Sequence, residues 1–487
     1  MINYNNIKVW ALILFAVFAI FDLIQFSVSP VGVDAGYFLS ISRDWVNLGR
    51  IPGIDTFTAY TTIGYVFYAI PFVLLKVPEI EVFLTLNLLL FALTCFIYFQ
   101  TINALINNKL ISFIVFFSFI YNVHGITMDI KLENIILFIN VGIVYVLSKL
   151  LLTNDLYLNN GKIVISSMFL GLFSALSFLT KQYGGLSLIL IILILEILEI
   201  QNRKKIASAV IFTFGLAILG YLFVQMSLGL DFNNAFQQMM GKMSIQCVGS
   251  EYGERKWSNL LISLKYNRFD IVYIGGVLLS LILVSKQQIS SAKKVLNYGL
   301  LTLIVVLSQI PFYFQVFPHY KLFGLPFILF LGIVAIGKIE DKKVAYIPLF
   351  GSSILIGFAL LSCYSFYCWG KQYKFKVDSK ISRIRFEEKI SKIIPRGSNV
   401  FMLSNRRMWF TNHFVTPAPK TISYGFLGFD CVAIAVELEK PQSFWLAMTS
   451  ELSDKGRFNG YSVSERKKVS NNADILYAVK YKRIDGE

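Results

Sequence analysis

The chain has 487 residues, 56% of them hydrophobic and only 15% charged, with a formal net charge of +16. Soluble domains are about half apolar but about a quarter charged, and several apolar runs here reach the ~20 residues a helix needs to cross a bilayer. A soluble fold is therefore excluded, as is a membrane β-barrel, which would alternate apolar and polar residues. The positive charge lies in short loops and in the tail, where topology and anionic lipid account for it without a nucleic-acid partner.

The first apolar run, Val9 to Val28, is too long for a signal-peptide core and has no small-residue cleavage site after it, so it reads as a retained helix over 8–28. Further membrane helices are predicted at 81–101, 110–126, 134–152, 163–180, 183–200, 206–228, 270–285, 296–316, 321–337 and 344–368, eleven in all. The fold class is an all-α polytopic membrane protein with a small α/β domain at its end. A long loop, 29–80, separates the first two helices and is broken by Pro30, Gly32, Gly36, Gly49, Pro52 and Gly53. Within it, Leu39 to Leu48 reads as a short amphipathic helix with Asp44 on its solvated face. The segment 61–77 is apolar but short and carries Gly64 and Pro71.

Short loops rich in Lys and Arg stay in the cytoplasm. Arg203-Lys204-Lys205, Lys286 with Lys293-Lys294, and Lys338 with Lys342-Lys343 are separated by two crossings each, so all three lie on one side. Counting back from them puts the amino terminus inside and the loops 29–80 and 127–133 outside. Segment 61–77 must then begin and end outside, as a juxtamembrane helix. Residues 229–269 form a second long outer loop, and long loops without a fold of their own tend to be functional.

After Trp369 the span-like composition ends, which divides the chain into a membrane domain, 1–369, and an extracytoplasmic domain, 370–487. Ser379 to Ile394 suits an amphipathic helix, and Asn399–Leu403 and Asp474–Val479 suit strands. The 5 cysteines include no C-x-x-C pair, and their spacing supports neither a metal site nor a disulfide.

The candidate site residues lie in the outer loops. Asp34, at the end of the first helix in Val33-Asp34-Ala35-Gly36-Tyr37, is by itself an ordinary loop acid beside a turn glycine. A carboxylate at a membrane boundary is also well placed for a general base. Asp55 lies in a glycine-bearing turn of the same loop. Asp129 and Glu133 are four residues apart and share a face if a helix begins there; acids at a helix amino terminus also simply favour its dipole. Lys181 opens Lys181-Gln182-Tyr183-Gly184-Gly185, a polar indentation suited to an anionic head group, unless the lysine only snorkels. His319, Tyr320 and Lys321 place two cations and a phenol at the outer rim, which suits a phosphate or interfacial anchoring. Acids suit deprotonation of an acceptor hydroxyl, and cations suit a phosphate leaving group.

These elements, in this order, resemble the GT-C class of integral-membrane glycosyltransferases. The likeness is to the bacterial homologues of protein O-mannosyltransferases and of the lipid A aminoarabinose transferase, and it runs along most of residues 8–340. It is carried by Asp34-Ala35-Gly36-Tyr37, by Leu48-Gly49-Arg50-Ile51-Pro52 with Asp55, by Asp129 or Glu133, by Gly171-Leu172 through Leu176 to Thr180-Lys181, and by His319-Tyr320 through Pro326. The chain departs from the pattern at Ala35, where a second acid is usual, and at Thr61-Thr62-Ile63-Gly64, in place of a proline-rich stretch.

The resemblance implies a polyprenyl-phosphate-linked sugar donor and inverting transfer on the outer face of a bacterial plasma membrane. Asp34 would be the general base. Lys181, His319, Tyr320 and Lys321 would hold the donor phosphate, and Asp55, Asp129 and Glu133 would position the substrates. Glycan, lipid and protein acceptors all stay open, as does a divalent cation, for which no ligand set is assigned. A transporter or flippase, or a polymerase or ligase, for lipid-linked saccharides is the alternative; transporters place ionisable residues near the midplane and often show repeats.

Overall fold

The computed structural model describes residues 33–55, 60–76, 80–127, 130–152, 160–240, 271–314 and 320–340, the tail segments 398–403, 440–448, 458–468 and 477–484, and a few isolated positions. The predicted helices 8–28 and 344–368 and most of 379–394 lie outside the described residues.

Helix follows the apolar runs closely: α1 (Val33–Leu48), α2 (Thr62–Leu75), α3 (Ile80–Leu105), α4 (Lys109–Thr127), α5 (Leu132–Leu152), α6 (Asn160–Thr180), α7 (Leu186–Ile197), α8 (Arg203–Ser227), α9 (Phe232–Met239), α10 (Ile271–Ser285), α11 (Ser291–Phe314) and α12 (Lys321–Glu340). Among the described residues, six helices are long and apolar enough to cross a membrane, which makes this an integral membrane protein.

Burial ranks them. In α12, 78% of the spanning stretch is buried, against 22% in α8. The first is therefore the hub of the bundle, and the second presents Phe212, Leu219 and Phe223 outward. Phe323, Phe327 and Phe330 of α12 are fully buried. Asn140 of α5 donates from Nδ2 to the Phe323 carbonyl at 3.0 Å, a buried hydrogen bond that joins the two helices.

Close helix approach is bought by glycine. A Cβ on Gly324 would lie 2.3 Å from the Ser308 Cβ of α11, and one on Gly171 would lie 2.6 Å from the Val210 carbonyl oxygen of α8. Backbones meet where lipid gives no hydrophobic drive to association and packing must supply it.

The loop 29–80 is largely helical. The amphipathic segment expected at Leu39–Leu48 begins earlier, at Val33, so Asp34 lies in a first helical turn and not in a loop. Asp44 corrects a second expectation: it is 2% exposed, and its Oδ1 receives Arg43 Nε at 2.8 Å and Nη2 at 2.7 Å. The solvated face was inferred from α1 alone, but α2 packs on it. Tyr65, Tyr68 and Phe72 of α2 are fully buried, while Val66, Ile70, Val73 and Leu74 face outward. At 1.5 Å per residue its 14 residues reach only ~21 Å, short of the ~30 Å hydrocarbon core, in keeping with a juxtamembrane helix.

The basic loops converge at one end of the bundle. Lys293 of α11 pairs with Glu199 beyond α7, Gln287 Nε2 donates to the Ile197 carbonyl at 2.7 Å, and Arg203 pairs with Glu196 at 2.6 Å. The α5 amino end and the α6 carboxyl end lie opposite.

The tail contains a four-stranded sheet in the order β1-β2-β4-β3, from β1 (Val400–Leu403), β2 (Ser443–Met448), β3 (Tyr461–Lys468) and β4 (Tyr477–Arg483). β1 and β2 are parallel and the other pairs antiparallel. Phe444, Phe458 and Tyr481 form its aromatic core, with Phe444 stacked on Tyr481 at 5.1 Å. The strands at 399–403 and near 477 follow the sequence reading; β2 and β3 were not foreseen.

Replacing Gly324 by valine should destabilise the bundle by about 1–3 kcal/mol, the usual cost of overpacking. Gly275→Ala, where a Cβ meets nothing within 4 Å, should be neutral or slightly stabilising. Thermal unfolding midpoints of the two variants in detergent check this.

Candidate active site

The site is built on one buried ion pair. Glu133 stands in the first turn of α5, where the helix dipole favours an anion. Lys181 directly follows α6. Its Nζ lies 2.5 Å from Glu133 Oε1, and the two residues are 9% and 3% exposed. The Tyr183 hydroxyl donates to the same Oε1 at 3.1 Å.

Three tyrosine rings enclose the ammonium: Tyr320 at 4.9 Å and Tyr60 and Tyr183 each at 5.3 Å from Nζ. A desolvated cation gains from aromatic faces at such distances. Burial favours the neutral amine, but the Glu133 carboxylate outweighs it and holds the Lys181 pKa well above the ordinary lysine range. Lys181 is thus a permanent cation, and its side chain turns inward where snorkelling would have taken it out.

Local backbone explains how the lysine gets there. After α6 the chain makes a short 3-10 turn, Gln182–Gly185, in which Gly184 N donates to the Lys181 carbonyl at 2.7 Å. A Cβ on Gly184 would lie 2.1 Å from the Ser177 carbonyl oxygen, and one on Gly185 would lie 2.8 Å from the Phe178 ring. The two glycines, read from sequence as part of a polar indentation with Gln182 and Tyr183, let the turn fold back on the end of α6.

The first loop is tied to this turn by Thr61 and Thr62. Thr61 Oγ1 donates to the Leu179 carbonyl. Thr62 Oγ1 donates to the Pro52 carbonyl at 2.9 Å and accepts from Gln225 Nε2 at 3.2 Å, and Thr62 N donates to the Tyr221 hydroxyl at 3.4 Å. A Cβ on Gly64 would touch both Leu132 and the Thr180 carbonyl at 3.2 Å. The threonine and glycine residues of Thr61-Thr62-Ile63-Gly64 are therefore what fastens α2 beside the ion pair.

The remaining predicted residues divide. Tyr320 is brought into the site, with its ring 5.7 Å from Tyr183, and Lys321 follows it as the first residue of α12. Glu133 is at the centre. His319 and Asp129 lie outside the described residues. Asp55 closes its own turn, with Ile51 N donating to Oδ2 at 3.0 Å. Asp34 is placed by its backbone, one turn before Phe38 on the same helix face; the Phe38 ring lies 5.7 Å from that of Tyr60. Tyr60 was missed: nothing in its spacing marks it, because its role comes from a loop returning to a distant lysine. Among the described residues no group of three or more His, Cys, Asp or Glu side chains is placed to hold a metal ion.

No family model and no curated protein matches the chain. Solved structures do. ArnT from Cupriavidus metallidurans bound to undecaprenyl phosphate aligns over 98% of both chains at a TM-score of 0.58 and 11% identity, and its apo form aligns at 0.56. The archaeal oligosaccharyltransferase AglB from Archaeoglobus fulgidus, in complex with an inhibitory peptide and a dolichol-phosphate, aligns over 90% of this chain and 69% of its own at a TM-score of 0.50 and 10% identity. At these identities the likeness is one of fold: the chain has an ArnT-like polytopic architecture.

Lys181→Met leaves a buried carboxylate uncompensated and should cost about 3–5 kcal/mol. The double variant Lys181→Met/Glu133→Leu removes both charges and should recover most of that loss. Unfolding midpoints of the single and double variants measure the coupling.

Proposed function

We propose that this protein is a glycosyltransferase that moves a sugar from a polyprenyl-phosphate-linked donor to an acceptor hydroxyl at the extracytoplasmic face, with inversion. The observation that carries this reading is the buried Lys181 ammonium, walled by three tyrosines and linked through Tyr60 and Phe38 to the helix that bears Asp34. Asp34 takes the acceptor proton, the acceptor oxygen attacks the anomeric carbon, and the bond from that carbon to the phosphate oxygen breaks. The developing negative charge goes to the phosphate, where a desolvated cation is worth far more than in water.

Tyr320, whose ring lies 4.9 Å from the Lys181 ammonium, serves the same phosphate with its chain neighbours His319 and Lys321; Asp55, Glu133 and Asp129 position the substrates. The bound undecaprenyl phosphate of the ArnT structure and the dolichol-phosphate of the AglB structure support this donor class. The acceptor is a hydroxyl of a glycan, lipid or protein. The basic loops at the opposite end of the bundle support a cytoplasmic face there by the positive-inside rule, and so a site and tail on the outer face. The same segregation disfavours a transporter, whose ionisable residues would lie near the midplane.

Purified protein given undecaprenyl-phosphate-linked sugars and candidate acceptors should transfer sugar. Asp34→Asn should lose about 10²–10⁴-fold in rate, the usual worth of a general base, with donor binding retained. Undiminished transfer by that variant rules out the base role.

A further inference from the structure

We infer that a phosphate bound at Lys181 displaces Glu133 as the counter-ion and that Glu133 takes up one proton as it does so. This rests on the reading of Lys181 as the donor-phosphate cation.

The ion pair is neutral as it stands, and both partners are buried. The groups facing it are the phenols Tyr60, Tyr183 and Tyr320, with Lys131 two residues before Glu133 and Lys321 next to Tyr320 in the chain. Asp129 lies outside the described residues. Tyr183 donates to Glu133, and the rings leave no polar acceptor on their faces. A lysine ammonium has three donors, one of which is held by the carboxylate at 2.5 Å.

The donor's phosphodiester brings one negative charge, and undecaprenyl phosphate, a monoester, brings about −1.5 to −2 at neutral pH. Placed against this ammonium it would share one cation with a carboxylate in a desolvated site. Two anions on one cation drive the weaker acid's pKa up, and an uncompensated buried charge is too costly to keep. Glu133 is the group that can give way: a proton from solvent joins its carboxylate, no covalent bond breaks, and the resulting O–H becomes a donor. Lys181 keeps its charge because the phosphate replaces the carboxylate as the anion beside the ammonium. The carboxylate thus holds the lysine charged and ordered while no donor is bound, and by taking up a proton it lowers by one the negative charge the site must hold when the phosphate arrives.

The sign follows from linkage. A proton taken up on binding makes binding tighter at low pH and weaker at high pH. Between about pH 7 and 9 the phosphate itself no longer titrates, its second pKa being about 6. The Kd of the full-length protein for undecaprenyl phosphate should therefore rise about tenfold per pH unit over that range, one proton's worth. An infrared difference spectrum should gain the C=O band of a protonated carboxyl when undecaprenyl phosphate binds wild type, and no such band when it binds Glu133→Gln.

Should the glutamine variant fold poorly, titration of wild type in buffers of different ionisation enthalpy reads the proton count directly, with one proton taken up as the expected result. A flat wild-type profile with tight binding overturns the inference and leaves the donor reading standing. So does a divalent-cation requirement together with weakened binding in Glu133→Gln, since the metal would then neutralise the pair of anions. Absence of undecaprenyl phosphate binding at every pH overturns both.

Discussion

The rest of this structure depends on one constraint: a lysine ammonium and a glutamate carboxylate removed from water must find each other. Glu133 and Lys181 come from the amino end of α5 and the carboxyl end of α6, separated in sequence by 48 residues. Their meeting sets the depth and rotation of both helices, because a shift of one residue would leave two buried charges unpaired. Breaking a buried pair costs far more than the pair contributes as a whole, so its value lies in specifying a geometry. The tyrosines extend that specification to elements the ion pair does not itself reach: Tyr60 brings in the first loop and Tyr320 the start of α12.

Geometry of this kind needs the chain to come close to itself, and glycine supplies the closeness. Gly184 and Gly185 let the turn that carries Tyr183 lie on the end of α6, and Gly64 lets α2 lie against Leu132 and Thr180. The hydroxyls of Thr61 and Thr62 then satisfy backbone carbonyls at Leu179 and Pro52 that a proline-rich segment could not serve as a donor. In a membrane, where lipid tails are as apolar as the side chains they meet, such contacts and hydrogen bonds carry the packing.

The bundle was legible because crossing a bilayer demands long apolar runs, and these are visible one at a time. Each described membrane helix lies within a few residues of its predicted span. The positive charges were legible for the same reason: Arg203, Lys286 and Lys293 declare a side by local composition. What was not legible depends on partners far along the chain. Asp44 reads as solvated until α2 covers it and Arg43 meets it. Tyr60 reads as a loop aromatic until Lys181 is placed beneath it. The pairing of Lys181 with Glu133 was not legible, because nothing nearby in sequence joins the two. β2 and β3 were missed since β3, as an edge strand with a basic face from Arg466 to Lys468, shows little of the apolar alternation that marks a half-buried strand.

The segregation of charge along the bundle bears on what the site can do. At one end, Glu196 with Arg203 and Glu199 with Lys293 are ion pairs about a third exposed, where water screens each charge and the pairs contribute little. At the other, Glu133 and Lys181 are shielded by rings and protein, and each charge acts at close to full strength. A reaction that moves negative charge onto a phosphate gains from the second setting and not from the first. Position 34 shares a helix face with Phe38, which reaches Tyr60 and through it Lys181. The helix that carries position 34 and the Lys181 ammonium are thus joined by one continuous run of packed rings. On the proposed reading, the distance between the base and the departing phosphate is thereby fixed by protein before any substrate arrives.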